Sequence, residues 1–79
     1  MDKRKKAHNI DTILLQYYER KAGHNSLTIA EQLGISRGSY LNKRKGYTPF
    51  TAPEMFNLIE ILQIPDEDIK QIFNPKDFF

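Results

Sequence analysis

Apolar residues recur at helical spacing over most of the chain, and no segment alternates with the period of two that marks a half-buried strand. Asn9 is the predicted N-cap of the first helix, and Gly23 follows its predicted end. The apolar positions between them fall on one predicted stripe: Ile10, Ile13, Leu14, Tyr17 and Tyr18. This pattern predicts that the stripe is buried and that Leu15 lies to one side of it.

The second and third predicted helices are short and are joined by a tight turn. The second begins at Asn25 or Ser26, and the third spans residues 36–45 with Tyr40 as its one clear core anchor. Gly34 permits the positive φ that the turn between them requires. The expected buried side of the second helix is small or aliphatic: Leu27, Ile29, Ala30 and Leu33. Two helices joined in this way form a helix-turn-helix unit, whose second helix enters the DNA major groove.

Two more helices follow a short loop. Thr51 caps the fourth helix, and Glu54 occupies the capping-box position three residues later. Apolar residues lie on more than one side of this helix, which predicts either a central position or a second buried face. Acids at 66–68 mark the start of the fifth helix, where the helix dipole favours negative charge. The sequence therefore predicts a compact all-α domain of five short helices.

Composition limits the class of protein. Seventy-nine residues suffice for one small domain. The absence of cysteine excludes disulfides and thiolate metal sites. No apolar run approaches the roughly 20 residues that span a bilayer, and no signal peptide is recognisable. We therefore expect a cytoplasmic protein that does not contact a membrane.

Charge is distributed unevenly, although the net charge is only +2. Residues 1–6 carry four basic residues against one acid, and residues 36–46 carry four basic residues with no acid. Residues 54–79, in contrast, carry six acids against two lysines. A basic front and an acidic back indicate two faces with different partners, although a run such as 3–6 is equally explained as solvated surface.

The chain resembles the lambda-repressor-like (XRE/Cro-type) helix-turn-helix family over residues 25 to about 73. The matching residues are Ile29-Ala30, Leu33-Gly34-Ile35-Ser36, Tyr40, Gly46 and the stretch LIEILQIP at 58–65. The resemblance implies that helices 2 and 3 form the helix-turn-helix of a domain spanning residues 9–74. Residues 1–8 then form a flexible basic N-terminus, and residues 75–79 form a C-terminal tail.

The resemblance also implies a DNA-reading surface on the third helix, with a double-stranded operator as the partner. The implied base contacts are Arg37, Gly38, Ser39 and Asn42. The implied phosphate contacts are Asn25, Ser26, Lys43, Lys45 and Thr48. The residue types agree in part, because Arg pairs with guanine and Asn with adenine in the major groove. Gly38 has no side chain and only allows close approach.

A second set of residues is a candidate protein interface. Leu41 stands where the family usually has an exposed polar residue, and the C-terminal half has more apolar residues than a small core needs. The candidate interface residues are Leu41, Leu58, Ile61, Phe73, Phe78 and Phe79. A homodimer is one use of this surface. Burial of the same residues in the domain's own core is the alternative.

Two functions are thus in competition. The first is a small DNA-binding transcriptional regulator of a phage-type genetic switch, acting in the bacterial host cell. The second is a phage modulator or antirepressor, which uses the same fold to bind the partner repressor and block its DNA binding.

An enzyme is not expected from this sequence. His8 and His24 are far apart and have no evident metal partners, and the glycines punctuate helices instead of forming a phosphate-binding loop. No serine stands in a recognisable triad. We therefore expect no catalytic residues, no metal and no cofactor.

Overall fold

The computed structural model describes residues 10–73, and these fold into five α-helices. The helices are α1 (Thr12–Lys21), α2 (Ser26–Leu33), α3 (Arg37–Lys45), α4 (Ala52–Leu62) and α5 (Asp66–Ile72). The prediction of an all-α five-helix domain is confirmed. An antiparallel bridge between Ile10 and Phe73 joins the two ends of this region. The predicted segments 1–8 and 75–79, with Phe78 and Phe79, lie outside the described residues.

Helix α1 begins two residues later than predicted. Asp11 is its N-cap, because the Asp11 carboxylate accepts a hydrogen bond from the backbone N–H of Leu14 at 3.0 Å. Asn9 is therefore not the cap, and its own placement is outside the described residues. The backbone ahead of the cap is held by pairing with the end of α5, where the Asp11 N–H donates to the Ile72 carbonyl at 3.1 Å. That long-range pairing delays the start of the helix.

The predicted buried stripe of α1 is confirmed at Ile10 and Tyr18 but wrong at two other positions. Leu15, expected at the side, is fully buried, whereas Ile13 and Tyr17 are exposed. The buried face consists of Leu15, Tyr18 and Glu19. These three positions have the spacing i, i+3 and i+4, which is also the spacing of the predicted stripe. Periodicity alone therefore could not decide which of the two faces is buried.

Tyr18 attaches α1 to α5. Its hydroxyl donates a hydrogen bond to the carboxylate of Asp68. This hydrogen bond, together with burial, raises the pKa of Tyr18 to about 12. The ring of Tyr18 is buried in the core, and its hydroxyl supplies the hydrogen bond to α5.

The turn between α2 and α3 forms as the sequence predicts. Gly34 adopts a φ of 73°, and the N–H of Ile35 closes the turn onto the Ala30 carbonyl at 3.0 Å. The Ser36 hydroxyl then accepts from the N–H of Ser39 at 3.0 Å and caps α3. This places a helix-turn-helix arrangement at α2 and α3.

The core corrects three predictions about apolar side chains. Leu27 is exposed on α2 although it was expected on the buried side. Leu58 and Phe73 were candidate partner residues, but both are buried in the core and cannot contact a partner. Ile61 remains half-buried. The core residues are Ile10, Leu15, Tyr18, Ile29, Ala30, Tyr40, Phe50, Met55, Leu58, Leu62, Ile64, Ile72 and Phe73.

Helix α4 packs against α1 and α2, but it does not bury all of its apolar residues. Met55, Leu58 and Leu62 lie in the core, while Phe56 points to solvent. The predicted capping box is present, since Thr51 and Glu54 exchange hydrogen bonds at 2.8 and 3.2 Å. Among the helices of residues 10–73, none is long and apolar enough to cross a membrane.

Candidate nucleic-acid interface

Helix α3 is held against the core by a buried carboxylate from α1. Glu19 Oε2 accepts a hydrogen bond from the Tyr40 hydroxyl at 2.6 Å. Arg44 Nη1 donates to both oxygens of the same carboxylate, at 2.8 Å to Oε1 and 3.0 Å to Oε2. Burial, reinforced by the Glu19 hydrogen bond, raises the pKa of Tyr40 well above its usual range. The network fixes the rotation of α3 about its axis.

A second ion pair holds the same turn of α3 to α4. Lys43 Nζ lies 2.6 Å from Glu54 Oε1, and the same oxygen accepts the N–H of Thr51 at 2.8 Å. Burial opposes ionisation of Glu54, but the hydrogen bonds from Lys43 and Thr51 outweigh it and lower its pKa below the usual 4.5. Lys43 was predicted to contact phosphate, yet its ammonium is turned inward and neutralised by α4.

The outward face of α3 therefore carries fewer free cations than the four basic residues of its sequence suggested. Arg37, Leu41 and Lys45 follow one another at i, i+4 and i+8, which places them in one row along the helix. Gly38 and Asn42 lie beside this row. Arg37, Gly38 and Lys45 are exposed, whereas Leu41 and Asn42 are half-buried. Of the four cations on this helix, only the two in the row face outward.

Gly38 has no role inside the domain that would require a glycine. It lies within the helix and is not among the positions with positive φ. A Cβ atom built at this position would meet nothing within 4 Å. Because glycine costs a helix up to about 1 kcal/mol relative to alanine, its presence here has no internal explanation. The α3 backbone at Gly38 is therefore open to solvent, with no side chain to cover it.

The start of α2 meets the start of α3 at a shallow, open cavity of about 370 Å³. Arg37 Nε donates to the Ser26 hydroxyl at 2.8 Å across this junction. The cavity is lined by Asn25, Ser26, Leu27 and Arg37. Three residues for which the sequence predicted base or phosphate contacts thus come together here.

The remaining predicted contact residues are more scattered. Ser39 is half-buried on α3, and its N–H is used by the Ser36 cap. Thr48 is exposed in the loop after α3. The side chain of Asn25 accepts the N–H of Thr28 at 3.0 Å, so it serves the α2 capping box.

Glu19 is the important residue that sequence reasoning missed. It occupies the same helical face as Leu15 and Tyr18, so a search for the alternative apolar stripe would have placed this acid in the core. An acid on a buried face needs a cationic or hydroxyl partner. The third helix has no acid to pair with Arg44, so Arg44 was the residue that could have been predicted as this partner.

No protein-family model matches the chain, and no curated protein matches it significantly. The resemblance to XRE/Cro-type helix-turn-helix domains therefore rests on the residues of the chain itself and stays a prediction.

Proposed function

We propose that this protein is a small DNA-binding transcriptional regulator that reads operator DNA with the outward face of α3. The observation that carries the proposal is the exposed, helical Gly38 within a helix that has no acidic residue. The gap at Gly38 allows the helix backbone to approach a groove closely. Arg37 and Lys45 on either side provide the positive charge that a phosphate-lined groove attracts.

The contact between Arg37 and Ser26 supports a role for Arg37 in base recognition. Its Nε donates to Ser26 at 2.8 Å, and its guanidinium has no other partner within residues 10–73. The two terminal nitrogens are therefore presented as a fixed fork. Such a fork matches the O6 and N7 acceptors of guanine in the major groove, and Asn42 offers the matching pattern for adenine.

The ion pairs of α3 set how strongly DNA binding should depend on salt. Lys43 and Arg44 are already neutralised by Glu54 and Glu19, so they release no counterions from DNA. Each cation that does contact a phosphate contributes about −0.9 to the slope of log K against log salt concentration. With Arg37 assigned to a base, Lys45 is the cation of α3 that remains for phosphate, so we expect α3 to contribute about −0.9 per copy of the protein.

The test is a fluorescence anisotropy titration of DNA from upstream of the protein's own gene, at several salt concentrations. Arg37→Ala with Asn42→Ala should abolish sequence preference, because each good bidentate base contact is worth about 1–3 kcal/mol. Gln71→Ala, on the exposed side of α5, is the matched control and should bind like the parent. Equal affinity for operator and unrelated DNA would refute the proposal.

Leu41 favours a second candidate function. It is half-buried in the centre of the row between Arg37 and Lys45, where an apolar side chain suits a protein surface better than a DNA groove. In this role the protein binds the repressor encoded beside it and blocks the repressor's DNA binding. Size-exclusion chromatography of the two proteins together separates the functions. A complex that Leu41→Ala dissolves, without loss of the fold, supports the second; absence of any complex eliminates it.

A further inference from the structure

Two exposed apolar sites lie outside the α3 face. On α1, Ile13 is 81% exposed and Tyr17 is 53% exposed. On α4, Phe56 is 55% exposed. Large apolar side chains scattered singly over a surface are ordinary, but Ile13 and Tyr17 are adjacent on one face at i and i+4. This pair therefore forms a larger apolar site than a single exposed residue does.

The two sites carry opposite charge. Arg20 follows Tyr17 by three residues on the exposed side of α1, and Lys21 places its ammonium 5.9 Å from the centre of the Tyr17 ring. Glu60 follows Phe56 by four residues on the exposed side of α4. Within residues 10–73, neither Arg20 nor Glu60 has an ion-pair partner.

The two sites also match in length and direction. We define the α1 strip as Ile13, Tyr17 and Arg20, and the α4 strip as Pro53, Phe56 and Glu60, all of which are exposed. The first and last residues of each strip are seven positions apart, or about 10.5 Å at 1.5 Å per residue. Each also runs from apolar to charged in the direction of the chain. When the two helices lie parallel, the apolar residues therefore meet each other and Arg20 meets Glu60.

We propose that a second copy of this chain covers these sites, with the α1 strip of one copy on the α4 strip of the next. Charge selects this pairing. The α1 strip has no acid, and the α4 strip has no base. Contact between two α1 strips would therefore leave Arg20 without an opposite charge, and contact between two α4 strips would leave Glu60 without one. Contact between unlike strips pairs both charges and joins Tyr17 to Phe56, an arrangement that aromatic rings favour.

The contact area between the two strips is small, so we expect the association to be weak. Each strip offers only three side chains, far less than the roughly 800 Å² per partner of a standard stable interface. The association is therefore weak and reversible, and it operates at high protein concentration or between neighbouring copies. Because unlike surfaces meet, each copy retains one free strip, so the contact alone allows more than two copies to join.

Sedimentation equilibrium of the full chain without DNA, up to millimolar concentration, tests the proposal. Ile13→Asp and Phe56→Asp should each give monomers. An equimolar mixture of the two variants should form a 1:1 dimer that grows no further, because one intact α1 strip and one intact α4 strip remain. Leu27→Asp, an exposed apolar position outside both strips, is the control and should associate like the parent.

Charge reversal supplies an independent check. Arg20→Glu or Glu60→Arg alone should weaken association about fivefold, as expected for one exposed ion pair, and the double variant should recover it. Circular dichroism confirms that every variant remains folded. A parent protein that is monomeric throughout, a mixture that does not associate, or association that Phe56→Asp leaves intact would each overturn the proposal. None of these measurements involves DNA, so the outcome is independent of the proposed DNA binding.

Discussion

Removing the charge of Glu19 is the sharpest test of how α3 is held. Glu19 is 5% exposed, and its carboxylate accepts hydrogen bonds from Tyr40 and Arg44. The side chain of Arg44 is itself only 17% exposed. Glu19→Gln keeps the size of the side chain and one oxygen acceptor, but it leaves the Arg44 guanidinium without a counterion.

The small exposure of Arg44 sets the loss of stability that we expect for Glu19→Gln. Removing one partner of a buried ion pair costs about 3–5 kcal/mol. Arg44 retains some contact with water and the glutamine oxygen still accepts from Tyr40, so we expect the lower end, about 3 kcal/mol. A domain of this size has a free energy of unfolding of roughly 4–12 kcal/mol. The variant should therefore still fold at 25 °C, with a Tm about 12–24 °C lower.

Urea and thermal unfolding followed by circular dichroism measure this loss. A double-mutant cycle with Arg44→Met isolates the coupling, because the double variant has no unpaired charge and should be less destabilised than the sum of the single variants. Glu31→Gln, an exposed acid on α2, is the control and should change stability by less than about 0.5 kcal/mol. A loss below about 1 kcal/mol for Glu19→Gln, or simple additivity in the cycle, would refute the buried network.

Four other predictions follow from the same structure. Gly38→Ala should stabilise the fold by up to about 1 kcal/mol in urea unfolding while weakening operator binding, since nothing inside the domain opposes the added methyl group; unchanged binding would contradict close approach at this point. Lys45→Gln should make the salt slope of DNA binding shallower by about 0.9, whereas Lys43→Gln should lower stability and leave the slope unchanged. The lowered pKa of Glu54 contributes stability that is present at neutral pH and is lost as the pH falls below 4.5, so Glu54→Gln should show a smaller acid-induced decrease in stability. The pKa of Tyr18, raised to about 12 by its hydrogen bond to a carboxylate of α5, makes stability fall as the pH rises from 10 to about 12; Tyr18→Phe should remove that part of the alkaline loss in a pH series of thermal melts.

The ends of most helices were predictable because their signals are local. Gly34 permits the left-handed turn after α2, and the Thr51–Glu54 capping box opens α4 within three residues of chain. Such interactions need no partner from elsewhere in the fold. The start of α1 escaped prediction because a contact with α5, far along the chain, holds the residues before it.

What the sequence determined by itself was the number and order of the helices, the position of the turn between α2 and α3, and Tyr40 as the anchor of α3. What only the tertiary structure decided was which way side chains face. Ile13 and Leu15 both fit a helical apolar stripe, and the partners of Glu19 on α3 selected the face that carries Leu15. Similarly, a run of three cations divides into two inward side chains and Lys45, because two acids on other helices neutralise the first two. Periodicity and charge count describe one segment, whereas orientation depends on what that segment packs against.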